Sequence, residues 1–410
     1  MIKKLTSIAL VCLLLLSCMT VFAAAQSDSA NGDWSQKSVI LKNTSEAELV
    51  VRVGDIDACN DEYAVSSNEY DPFTAKSQYA HGYPWVKDDT DPAGTDRIFV
   101  GSKWKGESTD GYSSNYASDK SGDDTENAYG DGALVLTMEY DASGIAVKSV
   151  ILQLCIDDFQ AISWESNFTV TLNGKDAPFI AELLNHTDQT GPTAYIVSAI
   201  IPSGFFEEIA SGKLEIVIDE TTGIGDGYAI DFAKLLINYN DQVFTGKFTG
   251  TTEPGATVRL LGTSTTVTAS STGGFTFNAI PGINAVRASK TGFVENYDSG
   301  IVLSSGTEWE AYVPLTEGKG NPDIDFSKFG VASGEENNNG SAPTEKPSES
   351  GTAAQNDPAD PGKTECWLCH FCPQPLGLCI FIWLLIIIVI VVVIIIVIKV
   401  TKKDKNKEKN

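Results

Sequence analysis

Phe168-Thr169-Val170-Thr171-Leu172 alternates apolar and polar residues with a period of two, and Leu134-Val135-Leu136-Thr137-Met138 does the same. Successive side chains of a strand point to opposite faces, so each run should bury one face and leave the other to polar surroundings. Outward from these runs, β-branched and aromatic stretches recur at 38–41, 48–53, 147–157, 194–200, 214–218 and 228–237, separated by clusters of Gly, Asp, Asn and Pro. Helix signals are sparse. Residues 178–184 and 203–210 can each hold a short helix, the second opening on Ser203 as a cap with Glu207 in its early turns. The pattern predicts a mainly β chain in which 34–242 forms a large β-sandwich module. Between Asp55 and Asp131 the chain is poor in strand signals and rich in Asp, Tyr and Gly, and connections of that length tend to carry function.

The two ends of the chain place this module. Lys3 and Lys4 precede an apolar run and then Ala23, Ala24 and Ala25, so 1–25 reads as a secretory signal peptide. Residues 378–398 contain no charge and consist almost wholly of Ile, Val and Leu. As a helix they would span roughly 31 Å, the thickness of a hydrocarbon core, so one transmembrane helix is expected. The lysines of 399–410 put that tail on the cytoplasmic side, giving a single-pass plasma-membrane protein with its N-terminal domains extracellular. Residues 318–365 are dominated by Gly, Asn, Ser, Pro, Glu and Ala and read as a disordered linker, followed by a Cys-rich juxtamembrane segment at 366–377. The formal net charge of −25 argues against nucleic acid as a partner and permits cation binding, while also serving plain solubility.

The segment 243–317 carries a family resemblance. Pro254-Gly255-Ala256-Thr257-Val258, Ser271-Thr272-Gly273-Gly274-Phe275-Thr276-Phe277, Ile280-Pro281-Gly282 and Gly292-Phe293 stand in the order and spacing of the carboxypeptidase regulatory-like domain. The resemblance implies a small prealbumin-like β-sandwich of about seven strands, non-catalytic and used as a spacer or adhesive unit. The acidic residue that commonly precedes Gly-Phe in that family is replaced here, which argues against a metal in that turn. Nothing resembles the peptidase itself, because His81, His186 and His370 all fall outside the module and form no HxxE pair. In the first region Gly54-Asp55-Ile56-Asp57, Asp71-Pro72-Phe73, Gly94-Thr95-Asp96-Arg97 and Gly225-Asp226-Gly227-Tyr228 resemble a surface module of secreted prokaryotic proteins, a likeness that supplies no catalytic residue.

Three constellations carry candidate chemistry. Asp55, Asp57, Asn60 and Asp61 follow one strand and Asp226 and Asp231 flank another, a set of hard oxygen ligands suited to calcium; Asx turns and strand caps account for the same residues without a metal. Tyr83, Trp85, Trp104 and Tyr112 sit in polar surroundings, where flat aromatic faces beside Asp and Asn suit a glycan, or simply pack a long loop onto the sandwich. Cys366, Cys369, His370 and Cys372 contain the C-x-x-C-H pattern of haem c attachment and the ligand types of a zinc site, and equally suit structural thiols or an interchain contact at the membrane. In an oxidising exterior Cys59 and Cys155 are the pair expected to form a long-range disulfide, with two free buried thiols as the alternative. No catalytic residue is nominated. The expectation is a membrane-anchored surface protein that binds a glycan or protein partner and is not an enzyme; the alternative class is a surface hydrolase or a membrane-proximal haem or metal redox protein.

Overall fold

Both alternating runs become strands with one buried face. In chain order the first module contains β1 (Ser38–Lys42), β2 (Ala47–Val53), β3 (Ile98–Val100), β4 (Tyr129–Asp131), β5 (Leu134–Glu139) and β6 (Val150–Asp157). It continues through β7 (Phe168–Leu172), β8 (Lys175–Asp176), β9 (Tyr195–Ile200), β10 (Lys213–Glu220) and β11 (Tyr228–Tyr239). Among the described residues three short helices punctuate them: α1 (Ala161–Trp164), α2 (Pro178–Asn185) and α3 (Phe206–Ala210). The computed structural model describes residues 30–56, 71–75, 90–103, 129–189, 194–223 and 227–331.

Two sheets of the first module face each other across one core. Leu134, Leu136 and Met138 of β5, Phe168, Val170 and Leu172 of β7, and Leu214, Ile216 and Ile218 of β10 line one side. They meet Leu49, Val51 and Val53 of β2, Leu152, Leu154 and Ile156 of β6, and Leu235 and Ile237 of β11. Pro178 at the first turn of α2 presets its backbone for a helix, and Phe179, Ile180, Leu183 and Leu184 turn inward from it. β6 and β11 are buried on both faces: N-terminal residues around Trp34 lie against their outer side at one end, and Val243, Phe244 and Ile280 at the other.

The second module adds β12 (Gly246–Thr252), β13 (Thr257–Leu260), β14 (Thr266–Thr268), β15 (Gly274–Ala279), β16 (Gly282–Ser289), β17 (Phe293–Val294), β18 (Asn296–Leu303), β19 (Glu308–Val313) and β20 (Thr316–Glu317). β15, β12 and β19 form one sheet, whose Phe248, Phe275, Phe277, Ala311 and Val313 pack on Val258, Leu260, Val286 and Ala288 of the other. That other layer is not separate. Its strands β14-β13-β16 continue the sheet β1-β2-β11-β6-β9 through a parallel bridge between Ile283 and Val197, with β18 pairing β16. Gly282 sits at this seam with φ +124°, where a Cβ would collide with the Ile196 carbonyl.

Residues 318–331, the first part of the expected linker, are among those described and include an ordered turn. Asp325 caps a 3-10 turn, Phe326–Phe329, by accepting a hydrogen bond from the Ser327 backbone. Phe329 stacks on Phe205 with centroids 6.0 Å apart, Phe326 and Phe329 flank Phe179, and Ser203 Oγ donates to the Gly330 carbonyl at 2.7 Å. Three apolar side chains, Ile324, Phe326 and Phe329, suffice to hold this strap on the first module. Among the described residues no helix is long and apolar enough to cross a membrane. The expected signal (1–25), the rest of the linker, the juxtamembrane segment (366–377), the transmembrane helix (378–398) and the basic tail (399–410) lie outside the described residues.

Candidate cation site at the strand ends

β11 reads Tyr-Ala-Ile-Asp-Phe-Ala-Lys-Leu-Leu-Ile-Asn-Tyr, an apolar run broken by two charges. The first, Asp231, sits on an irregularity. Ile230 pairs with Ile156 and Ala233 with Leu154, so Asp231 and Phe232 together stand opposite Cys155. Such a two-against-one bulge re-aims side chains and ends regular pairing. Asp231, Asp157 and Cys155 are all fully buried around it. Burial, then the charges of Asp231 and Asp157 and a hydrogen bond to Asp231, push the Cys155 thiol up.

A turn from Thr90 to Asp96 docks on this bulge. The Asp96 N–H donates to the Ile230 carbonyl at 2.8 Å, Thr95 Oγ1 donates to the Pro92 carbonyl at 3.0 Å, and Asp96 holds φ +53°. Gly94, at φ +90°, lies so close to β5 that a Cβ would come within 2.6 Å of the Val135 carbonyl. Asp55 arrives from the other side, directly after β2 and Gly54. One carboxylate oxygen from each of Asp55, Asp91 and Asp96 then lies within 4.8 Å of the others, and Asp96 is 5% exposed.

Two basic side chains, Lys37 and Arg52, approach this group. Lys37 Nζ lies 2.5 Å from Asp91 Oδ1 and 2.7 Å from Thr90 Oγ1. Arg52, also buried, donates to the backbone carbonyls of Asn31, Gln36, Asp33 and Gly54. Burial draws its guanidinium down to about 10 against the pull of Asp231, Asp55 and Asp33. Burial likewise raises the Asp55 carboxyl, with Asp91 adding to the rise and Lys37 and Arg52 opposing it. Asp55 Oδ1 is shielded from solvent and has no hydrogen-bond partner among the described residues. Oxygens bound to Ca²⁺ lie about 2.3–2.6 Å from the ion, hence up to about 5 Å from one another, so these three can share one ion.

Of the six expected calcium ligands, Asp55 and Asp231 are described, and both lie near Arg52. The carboxylate of Asp55 groups with Asp91 and Asp96, while that of Asp231 faces Cys155. Asp57, Asn60, Asp61 and Asp226 lie outside the described residues, as do Tyr83, Trp85, Trp104 and Tyr112, and Cys366, Cys369, His370 and Cys372. Cys155 pairs with no cysteine among the described residues, and Cys59, its expected partner, lies outside them. Cys155 is interior to a strand buried on both faces, where an apolar thiol is simply core. Asp91 and Asp96 were not anticipated as ligands. Their signal is local: two acids bracketing a Pro-Ala-Gly-Thr turn.

No protein-family model matches the chain. No curated protein matches it either. Among solved structures it is similar to the Bacillus anthracis TIE protein, at 10% identity over 47% of this chain and 43% of that one, with a TM-score of 0.16. The chain thus spans less than half of that structure, and so slight a likeness carries no argument about fold or activity.

Proposed function

We propose that the chain is a membrane-anchored extracellular surface protein whose large β-sandwich is a binding or adhesion module for a glycan or protein partner, built around a calcium ion. The supporting observation is the convergence of Asp55, Asp91 and Asp96 within 4.8 Å. In sequence Asp55 stands just before 57–70 and Asp91 just after 76–89, the stretch that contains Tyr83 and Trp85, while Trp104 and Tyr112 fall in 104–128. An ion held by all three would tie the end of β2, through Asp55, to the turn 90–96 at one rigid sheet end. In the same reading the second module is the carboxypeptidase regulatory-like unit, a prealbumin-like spacer. Seven of its nine strands, β12–β16, β18 and β19, lie in two facing layers, which supports that assignment.

The test is glycan-array and pull-down binding by the purified chain, with calcium and after chelation. Binding that requires calcium and is lost in Tyr83→Ala or Trp85→Ala is the expected result. Absence of binding under both conditions would overturn the reading.

A further inference from the structure

The second charge in β11 is Lys234, which no part of the cation site uses. Its side chain is fully buried on the outer face of the sheet, across from Arg52 on β2 and Gln153 on β6. The Phe73 ring covers the amine, with Nζ 4.4 Å from its centroid, and Phe73 in turn packs between Trp34 and Phe232. Two groups reach Nζ inside this aromatic enclosure. Asn31 Oδ1 lies 2.5 Å away and Glu46 Oε2 2.6 Å away. They come from distant parts of the chain: Asn31 from the N-terminal segment that Arg52 ties down through the carbonyls of Asn31, Asp33 and Gln36, and Glu46 from the residue before β2.

We propose that Lys234 and Asn31 are a self-crosslinking pair, joined by an intramolecular amide bond whose formation Glu46 promotes. An amine, a carboxamide and a carboxyl group are the three components of such a transfer. The Asn31 C=O bond is about 1.23 Å long, so its Cγ is within about 3.7 Å of Nζ, near the approach distance of a reactive pair. Burial lowers the Lys234 pKa, opposed by Glu46, and so favours the neutral amine a nucleophile must be. Passing the ammonium proton to Glu46, whose Oε2 lies 2.6 Å from Nζ, leaves the neutral amine that the step requires.

The step balances with nothing added. The Nζ lone pair attacks Asn31 Cγ while the Glu46 acid protonates the carbonyl oxygen, giving a tetrahedral centre. Glu46 then takes the proton of the attacking nitrogen and passes it to the departing NH₂. The Cγ–Nδ2 bond breaks as the hydroxyl returns its proton to Glu46, ammonia leaves, and a neutral Cγ–Nζ amide remains. One C–N bond forms, one breaks, and no electron acceptor is required. Burial of the Lys234 amine beneath the Phe73 ring disfavours water as the competing nucleophile. The product would clamp the N-terminal segment covalently to the central strand of the module.

The experiment is tryptic peptide mapping of the purified full chain by tandem mass spectrometry. The expected result is a branched peptide joining the Asn31 segment to 214–247, uncleaved after Lys234 and lighter than the sum of its parts by one ammonia. Lys234→Arg should yield only linear peptides, and Glu46→Gln, checked for folding by circular dichroism, should slow crosslink formation by about a hundredfold or more. Because Asn31 precedes Gly32, a succinimide at Asn31 would lose the same ammonia without branching. Ammonia loss confined to the Asn31 peptide, or wild-type chain cleaved normally after Lys234 with Asn31 intact, overturns the proposal. A Glu46→Gln chain crosslinking at the wild-type rate removes Glu46 from it.

Discussion

Replacing Arg259 with Met should weaken the whole two-module body and not one module alone. Arg259 is 1% exposed and stands on β13. Its Nε donates to both oxygens of Asp323 at 3.1 and 3.0 Å, and its Nη2 donates to Asp323 Oδ1 at 2.7 Å and to Glu182 Oε2 at 2.5 Å. Nη1 reaches the Thr263 carbonyl at 3.4 Å, and the guanidinium lies 5.4 Å from the Phe326 ring centroid. One side chain therefore links α2 of the first module, β13 of the second and the C-terminal strap. Burial opposes its charge, yet Asp323 and Glu182 hold its pKa above the ordinary arginine value. Removing one partner of a buried ion pair costs about 3–5 kcal/mol, chiefly because the other charge is stranded. Glu182 and Asp323 are 15% and 29% exposed and can regain some water, and Arg287 Nη1 remains 3.2 Å from Asp323. Those features put the expected loss near the lower end, about 3 kcal/mol. Urea unfolding followed by tryptophan fluorescence should show a single transition moved to lower urea. The double variant Arg259→Met with Asp323→Ala should lose less than the sum of the singles, by about 1–3 kcal/mol. A loss under about 1 kcal/mol, or simple additivity, would refute the argument that this arginine fastens the modules.

Three further outcomes follow from the same geometry. Asp55 has a folded-state pKa raised above 3.8, so its favourable contribution is complete below that value and is lost as pH rises through the folded pKa. A cation bound to the ionised form should offset that loss, so calcium should raise the melting temperature at neutral pH and have little effect near pH 4; equal shifts at both would count against the site. Gly282→Ala should cost about 2 kcal/mol or more in urea unfolding, because φ +124° and the Ile196 carbonyl leave no place for a Cβ; an unchanged midpoint would contradict the seam as described. Cys155, buried and with its pKa raised, should resist iodoacetamide in the native chain and react after unfolding, as read by peptide mass; rapid native labelling would place it elsewhere.

Period-two alternation made β5 and β7 legible, since each has one face on the core and one toward solvent or polar neighbours. β6 and β11 are buried on both faces, so their apolar runs reveal strands but not which side faces what. The charges inside β11 were the readable clue to chemistry, and they mark two different places: Asp231 the bulge, Lys234 the amine enclosure. The partners of Asp55 were not readable, because Asp91 and Asp96 reach it only through a turn that docks on the Ile230 carbonyl. The seam between modules rests on the bridge Ile283–Val197 and has no local signature. The strap was hidden by its Gly, Asn and Pro content, although two phenylalanines and an isoleucine hold it in place.

The central claim is that the carboxylates of Asp55, Asp91 and Asp96 form one calcium site. Calorimetric titration of calcium into the purified chain and into Asp96→Asn, with folding verified by circular dichroism, tests it most directly. The account predicts binding in the wild-type chain that is weakened at least about tenfold when one of three charged ligands is neutralised. No calcium heat in the wild type, or equal affinity in both proteins, would contradict it.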